Sequence, residues 1–368
     1  MARRGRSGLI AAGFAGLASL LAVASGVAVA APGDATHEPL AVEPLRLAYV
    51  TSSNAQPESI VWGAAADGSS PVRLGPGSQP LLSPSGQSVA AGLFGPSETG
   101  PSLAIYPARG GTPQTIGDLT RQTAFPLAWS PDSRYLAVAL QSTAVKNVAA
   151  RSGLAILDTT TGTLKTIATG VVYGASFAPD GSDRVVFARS RSQSFTAAVN
   201  LYVAQATGSA LTRVTSDGRS LNPVWGPTFI AYDRERLRRN DAPVYQVWLR
   251  RPGGGSPRRL TSIRVRTLVS GLVPLGFSSS GSRLLAEFEG QDTSEAWTVQ
   301  VPSGRARAVR VKGRPVVGAG ISRDGSSLLV SEGGIEGPAS GENVVTVPFA
   351  GGPRKLLVAH AAEPSWNE

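Results

Sequence analysis

One pattern recurs seven times along the chain: a large apolar residue, then a tight turn, then a run of apolar residues typical of a strand. The copies are spaced 44 to 52 residues apart. They are centred on Leu82, Trp129, Phe177, Trp225, Phe277, Ile321 and Trp366. Repeats of about 40 to 50 residues are typical of the four-stranded blades of a β-propeller. The spacing therefore predicts a ring of similar small sheets.

Each repeat also contains the same order of short strands. The second strand reads YLAVAL at 135–140 and RLLAEF at 283–288, and a third strand such as GLAILDT precedes a Gly/Ser/Thr-rich turn. Runs this short and this rich in Val, Leu, Ile and Tyr suit strands that are covered on both faces. With 43 glycines and 27 prolines in 368 residues, we expect many turns and an all-β fold.

The two ends of the propeller sequence complement each other. The first repeat begins directly with a second strand after Pro44, and the chain ends in EPSWNE, which has the sequence of an inner strand. Pairing the two segments would complete one blade from both termini and leave no exposed sheet edge. We therefore predict a seven-bladed β-propeller closed by its N- and C-terminal strands, with six or eight blades as the alternatives.

The first 30 residues have the composition of a signal peptide. Three arginines precede an apolar stretch that ends in Ala28-Val29-Ala30, a small-x-small cleavage pattern. Cleavage there would release an exported domain, and an uncleaved segment would remain as an N-terminal anchor. Residues 31–44 are expected to form a linker, and residues 45–368 the propeller. The chain has no cysteine, so no disulfide is expected.

One copy of the repeat carries a motif that is known from a family. Pro126-Leu127-Ala128-Trp129-Ser130-Pro131-Asp132 is the clearest copy, and weaker copies occur at 177–181 and 321–325. The motif resembles the WD-like, or PD40-like, repeats of TolB-type propellers. TolB itself has six blades and an additional N-terminal α/β domain, whereas seven repeats are counted here. The resemblance implies a propeller architecture and an exported protein that interacts with other proteins.

The aspartates of these motifs are expected to stabilise turns rather than to bind a ligand. Asp or Ser accepts backbone hydrogen bonds at the start of a turn, Pro fixes φ, and Gly supplies a positive φ. Recurrence of Asp132, Asp180 and Asp324 in several blades is what turn chemistry predicts. The two histidines, His37 and His360, are expected to be solvated, so no catalytic residue is assigned.

A local group of carboxylates lies in the sixth repeat, at Glu287, Glu289, Asp292 and Glu295. We expect a solvated acidic loop at this place. A calcium site built from oxygen ligands alone is the alternative, and no other cofactor is expected.

The connections between second and third strands are long and varied, for example 141–152, 190–199, 235–244 and 333–342. Long variable loops on a rigid scaffold are common binding sites. Basic residues of the third to fifth repeats are predicted to form one side of a binding face: Arg191, Arg236, Arg238, Arg239, Arg264 and Arg266. Acidic residues of the sixth and seventh repeats would form the other side: Glu289, Asp292, Glu295, Glu336 and Glu342. The alternative is that these charges are scattered and only increase solubility.

A second basic series, Arg305, Arg307, Arg310 and Lys312, is predicted to lie on an outer strand, where charges discourage pairing between molecules. The net charge is +10, but the six tryptophans occupy strand positions that are expected to be buried. Binding of nucleic acid needs exposed aromatic residues interleaved with a basic groove, so no nucleic-acid partner is expected.

Two functional hypotheses follow from the sequence. The first is an exported, non-enzymatic and monomeric propeller in the periplasm, the cell envelope or the medium, which binds a protein or a cell-envelope polymer through its long loops. Its mature form would have no membrane span unless the N-terminal segment is retained. The second is a propeller enzyme, such as a lactonase, a lyase or a glycan-acting hydrolase, with a divalent cation held by carboxylates at the central channel.

Overall fold

The computed structural model describes residues 43–53, 56–93, 102–116, 122–142, 152–192, 194, 197–237, 243–264, 270–290, 293–332 and 342–367. Throughout these ranges the regular structure consists of β-strands, without a helix. The described part of the chain therefore contains no helix that is long and apolar enough to cross a membrane. The predicted signal peptide and the linker up to residue 42 lie outside the described residues.

The strands form four-stranded antiparallel sheets in chain order, and we number these sheets as blades. Blade 1 contains β1 (Leu47–Ser53), β2 (Gln56–Ala64), β3 (Val72–Pro76) and the last strand of the chain. Blade 2 contains β4 (Ser78–Leu82), β5 (Ser88–Gly92), β6 (Leu103–Pro107) and β7 (Gln114–Ile116). Blade 3 contains β8 (Gln122–Trp129), β9 (Tyr135–Ser142), β10 (Gly153–Asp158) and β11 (Thr163–Thr169). Blade 4 contains β12 (Val171–Phe177), β13 (Arg184–Ser190), β14 (Val199–Gln205) and β15 (Thr212–Arg213).

The remaining strands continue the same order. Blade 5 contains β16 (Ser220–Trp225), β17 (Ile230–Leu237), β18 (Pro243–Arg251) and β19 (Gly254–Arg259). Blade 6 contains β20 (Ser270–Phe277), β21 (Arg283–Glu289), β22 (Ser294–Gln300) and β23 (Ala306–Ala308). Blade 7 contains β25 (Arg314–Ile321), β26 (Ser327–Glu332), β27 (Asn343–Pro348) and β28 (Lys355–Ala359), with the short β24 (Arg310–Val311) beside β25. The last strand is β29 (Ala362–Trp366).

The ends of the chain close the ring as the sequence predicts. Strand β29 pairs antiparallel with β1, so that Trp366 lies opposite Leu47 and Ser365 opposite Ala48. The side-chain amide of Asn367 also donates to the carbonyl of Leu45 at 3.2 Å. Blade 1 therefore takes its innermost strand from the C-terminus and its other three strands from the beginning of the propeller.

The hydrophobic core is divided among the spaces between neighbouring blades. Leu47 and Tyr49 of blade 1 pack with Leu329 and Val344 of blade 7, which joins the last blade to the first. The other six spaces contain similar clusters of Val, Leu, Ile and Ala. Because each blade buries both of its faces, the strands can be apolar almost throughout.

The large residue of each repeat packs against the preceding blade. A Cβ atom on Gly320 of blade 7 would lie 2.5 Å from Nε1 of Trp366, and one on Gly226 of blade 5 would lie 2.5 Å from the ring of Phe277. Trp129 makes a comparable contact, because its Nε1 donates to the carbonyl of Leu81 at 2.9 Å. The large residue of each repeat is thus the one that forms the contact between successive blades.

Two predictions about side-chain placement need correction. Trp129 and Trp225 are buried, but Trp62, Trp248, Trp297 and Trp366 are only half-buried, since each lies near the edge of a core cluster. Arg310 and Lys312 do not lie on an outer strand. Arg310 begins β24, which pairs with the inner strand β25, and Lys312 occupies the turn between these strands with a φ of 49°.

The alternating strand direction gives the ring two different faces. We call the lower face the side where first strands turn into second strands and third strands into fourth strands. We call the upper face the side where second strands connect to third strands and one blade connects to the next. Most of the long connections on the upper face, including much of the four predicted binding loops, lie outside the described residues.

Candidate functional site

The aspartates of the repeat motif stabilise turns on the lower face. In blade 7 the Ser322 hydroxyl donates to Asp324 Oδ1 at 2.6 Å, and the backbone N–H of Ser326 donates to the same oxygen at 2.8 Å. These hydrogen bonds lower the pKa of Asp324 to about 2. In blade 4 hydrogen bonds from Ser182 likewise lower the pKa of Asp180. The serine partners lie within two residues of each aspartate, and Arg184 Nη2 also donates to Asp180 Oδ2 at 2.8 Å, so both carboxylates are held by their own turns.

The predicted basic side of the upper face is only partly within the described residues. Arg191 follows β13 and is exposed, and Arg264 is exposed on the connection from blade 5 to blade 6. Arg238, Arg239 and Arg266, together with the side chain of Arg236, lie outside the described residues. The basic binding face therefore stays a prediction.

The acidic group of blade 6 is not the solvated loop that we expected. Glu287 is 9% exposed and Glu295 is 7% exposed, because both belong to strands that are covered by neighbouring blades. Glu295 forms an ion pair with Arg310, whose Nη2 lies 2.6 Å from Oε1. Glu289 is exposed at the end of β21, and Asp292 lies outside the described residues.

Burial changes the protonation of several carboxyl groups near the upper face. It raises the pKa of Glu287 to about 7, and the charge of Glu289 adds to this rise. In blade 7 burial raises the pKa of Glu342, which is 3% exposed, to about 7, and the charge of Glu363 contributes. Such groups exchange protons near neutral pH, unlike Asp180 and Asp324 of the lower face.

Sequence reasoning missed the most deeply buried of these groups, Asp233 of β17. It is 1% exposed, and its Oδ1 atom has no hydrogen-bond partner among the described residues. Burial raises its pKa to about 7, a hydrogen bond from Asn222 opposes the rise, and the charges of Glu289 and Glu235 add to it. A charged residue inside the apolar run FIAYDR was the sequence feature that could have identified it.

Asp233 lies next to an unusual junction between blades 5 and 6. Strand β18 of blade 5 pairs in parallel with β20, the inner strand of blade 6, through Val244 opposite Ser270 and Tyr245 opposite Gly271. Blades 4 and 5 are also linked, but only by a single parallel bridge of Val199 with Arg219, whereas blades 5 and 6 form one continuous sheet in the described part of the chain. A Cβ atom on Gly271 would lie 2.0 Å from the carbonyl oxygen of Tyr245, so the close pairing requires glycine.

Four residues form one cross-strand row through this junction. Glu235 lies opposite Tyr245, Tyr245 opposite Gly271, and Gly271 opposite Glu289. Burial raises the pKa of Tyr245, and the charges of Glu235, Asp233 and Glu289 raise it further. We call Asp233, Glu235, Tyr245 and Glu289 the junction cluster. The carboxylates of the described residues do not form a group of three that could hold a metal ion.

The chain was compared with known proteins. No protein-family model matches it, and no curated protein matches it in sequence. In structure it is similar to TolB from Acinetobacter baumannii, at 16% identity and a TM-score of 0.52, over 88% of this chain and 66% of that chain. The chain thus spans slightly less than two thirds of that TolB.

Other propellers are similar as well. The β-propeller domain of the Trilobed protease from Pyrococcus furiosus, described as having an open velcro topology, is 11% identical with a TM-score of 0.61 over 86% of this chain and 93% of that domain. Oligogalacturonate lyase from Vibrio parahaemolyticus is 12% identical with a TM-score of 0.51, over 86% and 85% of the two chains. At this identity the likeness shows the fold alone, and the protein is a β-propeller. In this protein the first blade is closed by paired terminal strands.

Proposed function

We propose that this protein is an exported propeller that binds a protein partner through its upper face. The observation that carries the proposal is the difference between the motif aspartates of the lower face and Asp233 at the upper junction. Lower-face aspartates are bound by the serines of their own turns, whereas Asp233 of the upper junction is buried with an oxygen that has no partner among the described residues. Buried polar groups are normally satisfied, so such a group indicates a place that is completed by something else.

The position of the upper face supports the same proposal. It carries the second-to-third-strand and blade-to-blade connections, and loops on a rigid ring commonly bind partners. Arg191 and Arg264 are exposed on this face, and the junction between blades 5 and 6 on the same face is rich in carboxylates. Both signs of charge are therefore available to orient a partner with complementary charges.

Export is proposed on the N-terminal sequence together with the fold that the chain shares with TolB. The apolar stretch and the Ala28-Val29-Ala30 pattern favour cleavage and release. The N-terminal sequence of the protein recovered from its own cells tests this step. A mature chain that begins near Ala31 is expected, and a chain that keeps residues 1–30 would be an anchored protein.

Photo-crosslinking from matched positions tests the binding face. A photoreactive residue replaces Arg191 or Arg264 on the upper face, and Arg109 or Arg305 on the lower face serves as the control, since all four arginines are exposed. In the producing cells, a discrete protein adduct is expected from the upper positions only. Equal adducts from both faces, or adducts from the lower face alone, would contradict the proposal. Adducts to glycan instead of protein would assign the face to an envelope polymer.

A second candidate function rests on the near-neutral pKa values of Asp233 and Glu287. Carboxyl groups with such values are suited to general acid and base catalysis at neutral pH. The propeller would then be a lactonase, a lyase or a glycan-acting hydrolase, with a divalent cation bound by carboxylates at the central channel.

Turnover separates this second candidate from the first. The purified protein is assayed with lactones and with uronic-acid polymers, before and after chelation and in the Glu287→Gln variant. Turnover that requires a stoichiometric metal and is lost in the variant would establish the enzyme. Turnover that is equal in the variant would remove Glu287 from any catalytic role.

A further inference from the structure

The junction cluster combines several negative groups at a rigid place in the ring. Glu235 and Glu289 occupy the same cross-strand row, on either side of Tyr245 and Gly271. The row is fixed by backbone pairing between blades 5 and 6 rather than by loops. The chain that leaves blade 5 is also fixed, because Gln246 Nε2 donates to the carbonyl of Ile263 at 3.1 Å and Thr261 donates to Gln246 Oε1 at 2.9 Å.

Asp233 is the buried member of this cluster. It lies two residues before Glu235 on β17, and Oδ1 has no hydrogen-bond partner among the described residues. Asn222, which is near enough to lower the pKa of Asp233, has a φ of 43° in the irregular part of β16. At this bulge, beside Asp233, the side chains of the inner strand no longer alternate regularly between the two faces of the blade.

Two other upper-face carboxylates have a cation of their own. Glu295 pairs with Arg310 at 2.6 Å, and Glu332 pairs with Arg354 at 2.6 Å. At the junction cluster the neighbouring charges that act on Asp233 are the carboxylates Glu289 and Glu235. Arg234, the residue next to Asp233, pairs instead with Asp217 at 3.0 Å. Among the described residues no cation forms an ion pair with this cluster, in contrast to Glu295 and Glu332.

The arrangement of the cluster suits a large cation. Its carboxylates come from two strands of adjacent blades and do not converge into a group that could hold a metal ion among the described residues. A guanidinium group presents five N–H donors in a planar fork and spans a wider space than a metal ion, and it binds carboxylates through paired hydrogen bonds.

We propose that the junction cluster is a binding site for a guanidinium group, supplied by an arginine side chain of the protein partner. Asp233 accepts hydrogen bonds from the guanidinium through the oxygen that is otherwise without a partner. Glu289 and Glu235 provide the second carboxylate contact and the remaining negative charge. This assignment rests on the proposed function, since it names the chemical group that the upper face recognises.

The experiment uses argininamide as the probe and citrullinamide as its uncharged isostere. Binding to the full chain is followed by titration calorimetry and by the NMR shifts of the tyrosine and carboxyl groups. We expect argininamide to bind and citrullinamide not to bind. Asp233→Asn should weaken the binding of argininamide by at least about 10-fold, in keeping with the loss of a charged hydrogen bond.

Two further variants make the result specific. Glu289→Gln, at an exposed strand end, should also weaken argininamide binding and provides the test if Asp233→Asn does not fold. Asp324→Asn on the lower face is the matched control and should leave the affinity unchanged. Equal binding of both probes, or an affinity that neither junction variant changes, would overturn the assignment.

The affinity should also increase between pH 6 and pH 8. Asp233 must lose its proton to bind a cation, and its pKa is about 7. Glu235 and Glu289 are the charged groups that act on it, and Tyr245 keeps its proton because burial raises its pKa. An affinity that decreases over this range would contradict the assignment.

Failure of this proposal and failure of the proposed function give different results. If argininamide binds at the junction cluster but the upper face gives no protein adduct, the guanidinium site is supported and the binding of a protein partner is contradicted. If the upper face gives a protein adduct and Asp233→Asn leaves both that adduct and argininamide binding unchanged, the binding of a protein partner is supported and the guanidinium site is contradicted.

Discussion

Asp324 on the lower face of the ring and Asp233 on the upper face have opposite surroundings. On the lower face Asp324 accepts hydrogen bonds from Ser322 and Ser326, which lower its pKa to about 2. On the upper face Asp233 is covered by neighbouring blades, and burial raises its pKa to about 7. The first environment is local, since its partners lie within two residues. The second environment requires the assembled ring. The pKa of Asp324 therefore depends on a local turn, and the pKa of Asp233 depends on the packing of blades.

Removal of residues 362–368 should have the largest effect on the difference between Asp324 and Asp233. The deletion takes away β29, exposes the edge of β1 and removes the contact of Trp366 with Gly320. The loss of a fully buried tryptophan costs about 3 to 5 kcal/mol. Trp366 is only half-buried, but the deletion also removes the pairing of a whole strand, so we expect the free energy of unfolding to fall by about 3 kcal/mol or more.

Carboxyl titration of the truncated chain separates the two environments. If the ring opens, the pKa of Asp233 should return toward its ordinary value, whereas the pKa of Asp324 should stay low because its turn is local. A truncated chain as stable as the full chain would mean that terminal pairing does not close the ring.

Gly271→Ala tests the junction that supports the upper cluster. The added Cβ atom would meet the backbone of Tyr245 at 2.0 Å, and forced overpacking typically costs about 1 to 3 kcal/mol. Gly253→Ala is the matched control, because no atom lies within 4 Å of its added Cβ. Thermal unfolding should show a clear loss for Gly271→Ala and little change for Gly253→Ala. Equal stabilities would mean that the β18–β20 pairing is not close.

Single substitutions of the two aspartates should shift stability in opposite directions. At pH 8 Asp233 is ionised while it is buried, so Asp233→Asn should raise the free energy of unfolding by about 1 to 3 kcal/mol. At the same pH, Asp324→Asn should lower the melting temperature, because the amide is a weaker acceptor for the turn. Loss of stability in Asp233→Asn at pH 8 would show that its charge is satisfied.

The wild-type protein should be most stable in mildly acid solution. Asp233, Glu287 and Glu342 have raised pKa values of about 7, so their contribution is fully present below about pH 4 and is lost as the pH rises through 7. Asp324 has a lowered pKa of about 2, so its contribution is lost only as the pH falls through that value. Melting temperatures should therefore decrease from pH 5 to pH 8. A rise over this range would contradict the assignment of the upper carboxyl groups.

The smallest effect is expected from an upper carboxylate that has its own cation. Arg310→Ala removes the ion pair to Glu295, but the side chain of Arg310 is 52% exposed. Solvent screens such pairs, which contribute about 0 to 1 kcal/mol. Unfolding experiments should show a loss within this range, decreasing with added salt. A larger loss would place Glu295 among the carboxylates that depend on burial.

The sequence predicted the fold because the repeats determine it locally. Turn residues around Asp132 and Asp324, and the complementary ends at Leu47 and Trp366, are readable without coordinates. The upper cluster was not readable in the same way. Glu235, Tyr245, Gly271 and Glu289 are separated along the chain and are joined by the parallel pairing of β18 with β20, which no local pattern indicates.

Burial was the second property that the sequence did not show. Glu287 and Glu295 have the composition of a solvated acidic segment, but their strands are covered by neighbouring blades. Asp233 occurs in a strand that was recognised for its apolar residues. Its charge is an exception to the repeat and could have identified it, whereas the recurring aspartates were recognised because they follow the repeat.

Carboxyl NMR titration of the intact chain tests the difference between the faces most directly. With assigned side-chain resonances, Asp233 should titrate near pH 7 and Asp324 near pH 2. Titration of both groups near pH 4, the ordinary range for aspartate, would show that neither the closed ring nor the serine turns act on them as described.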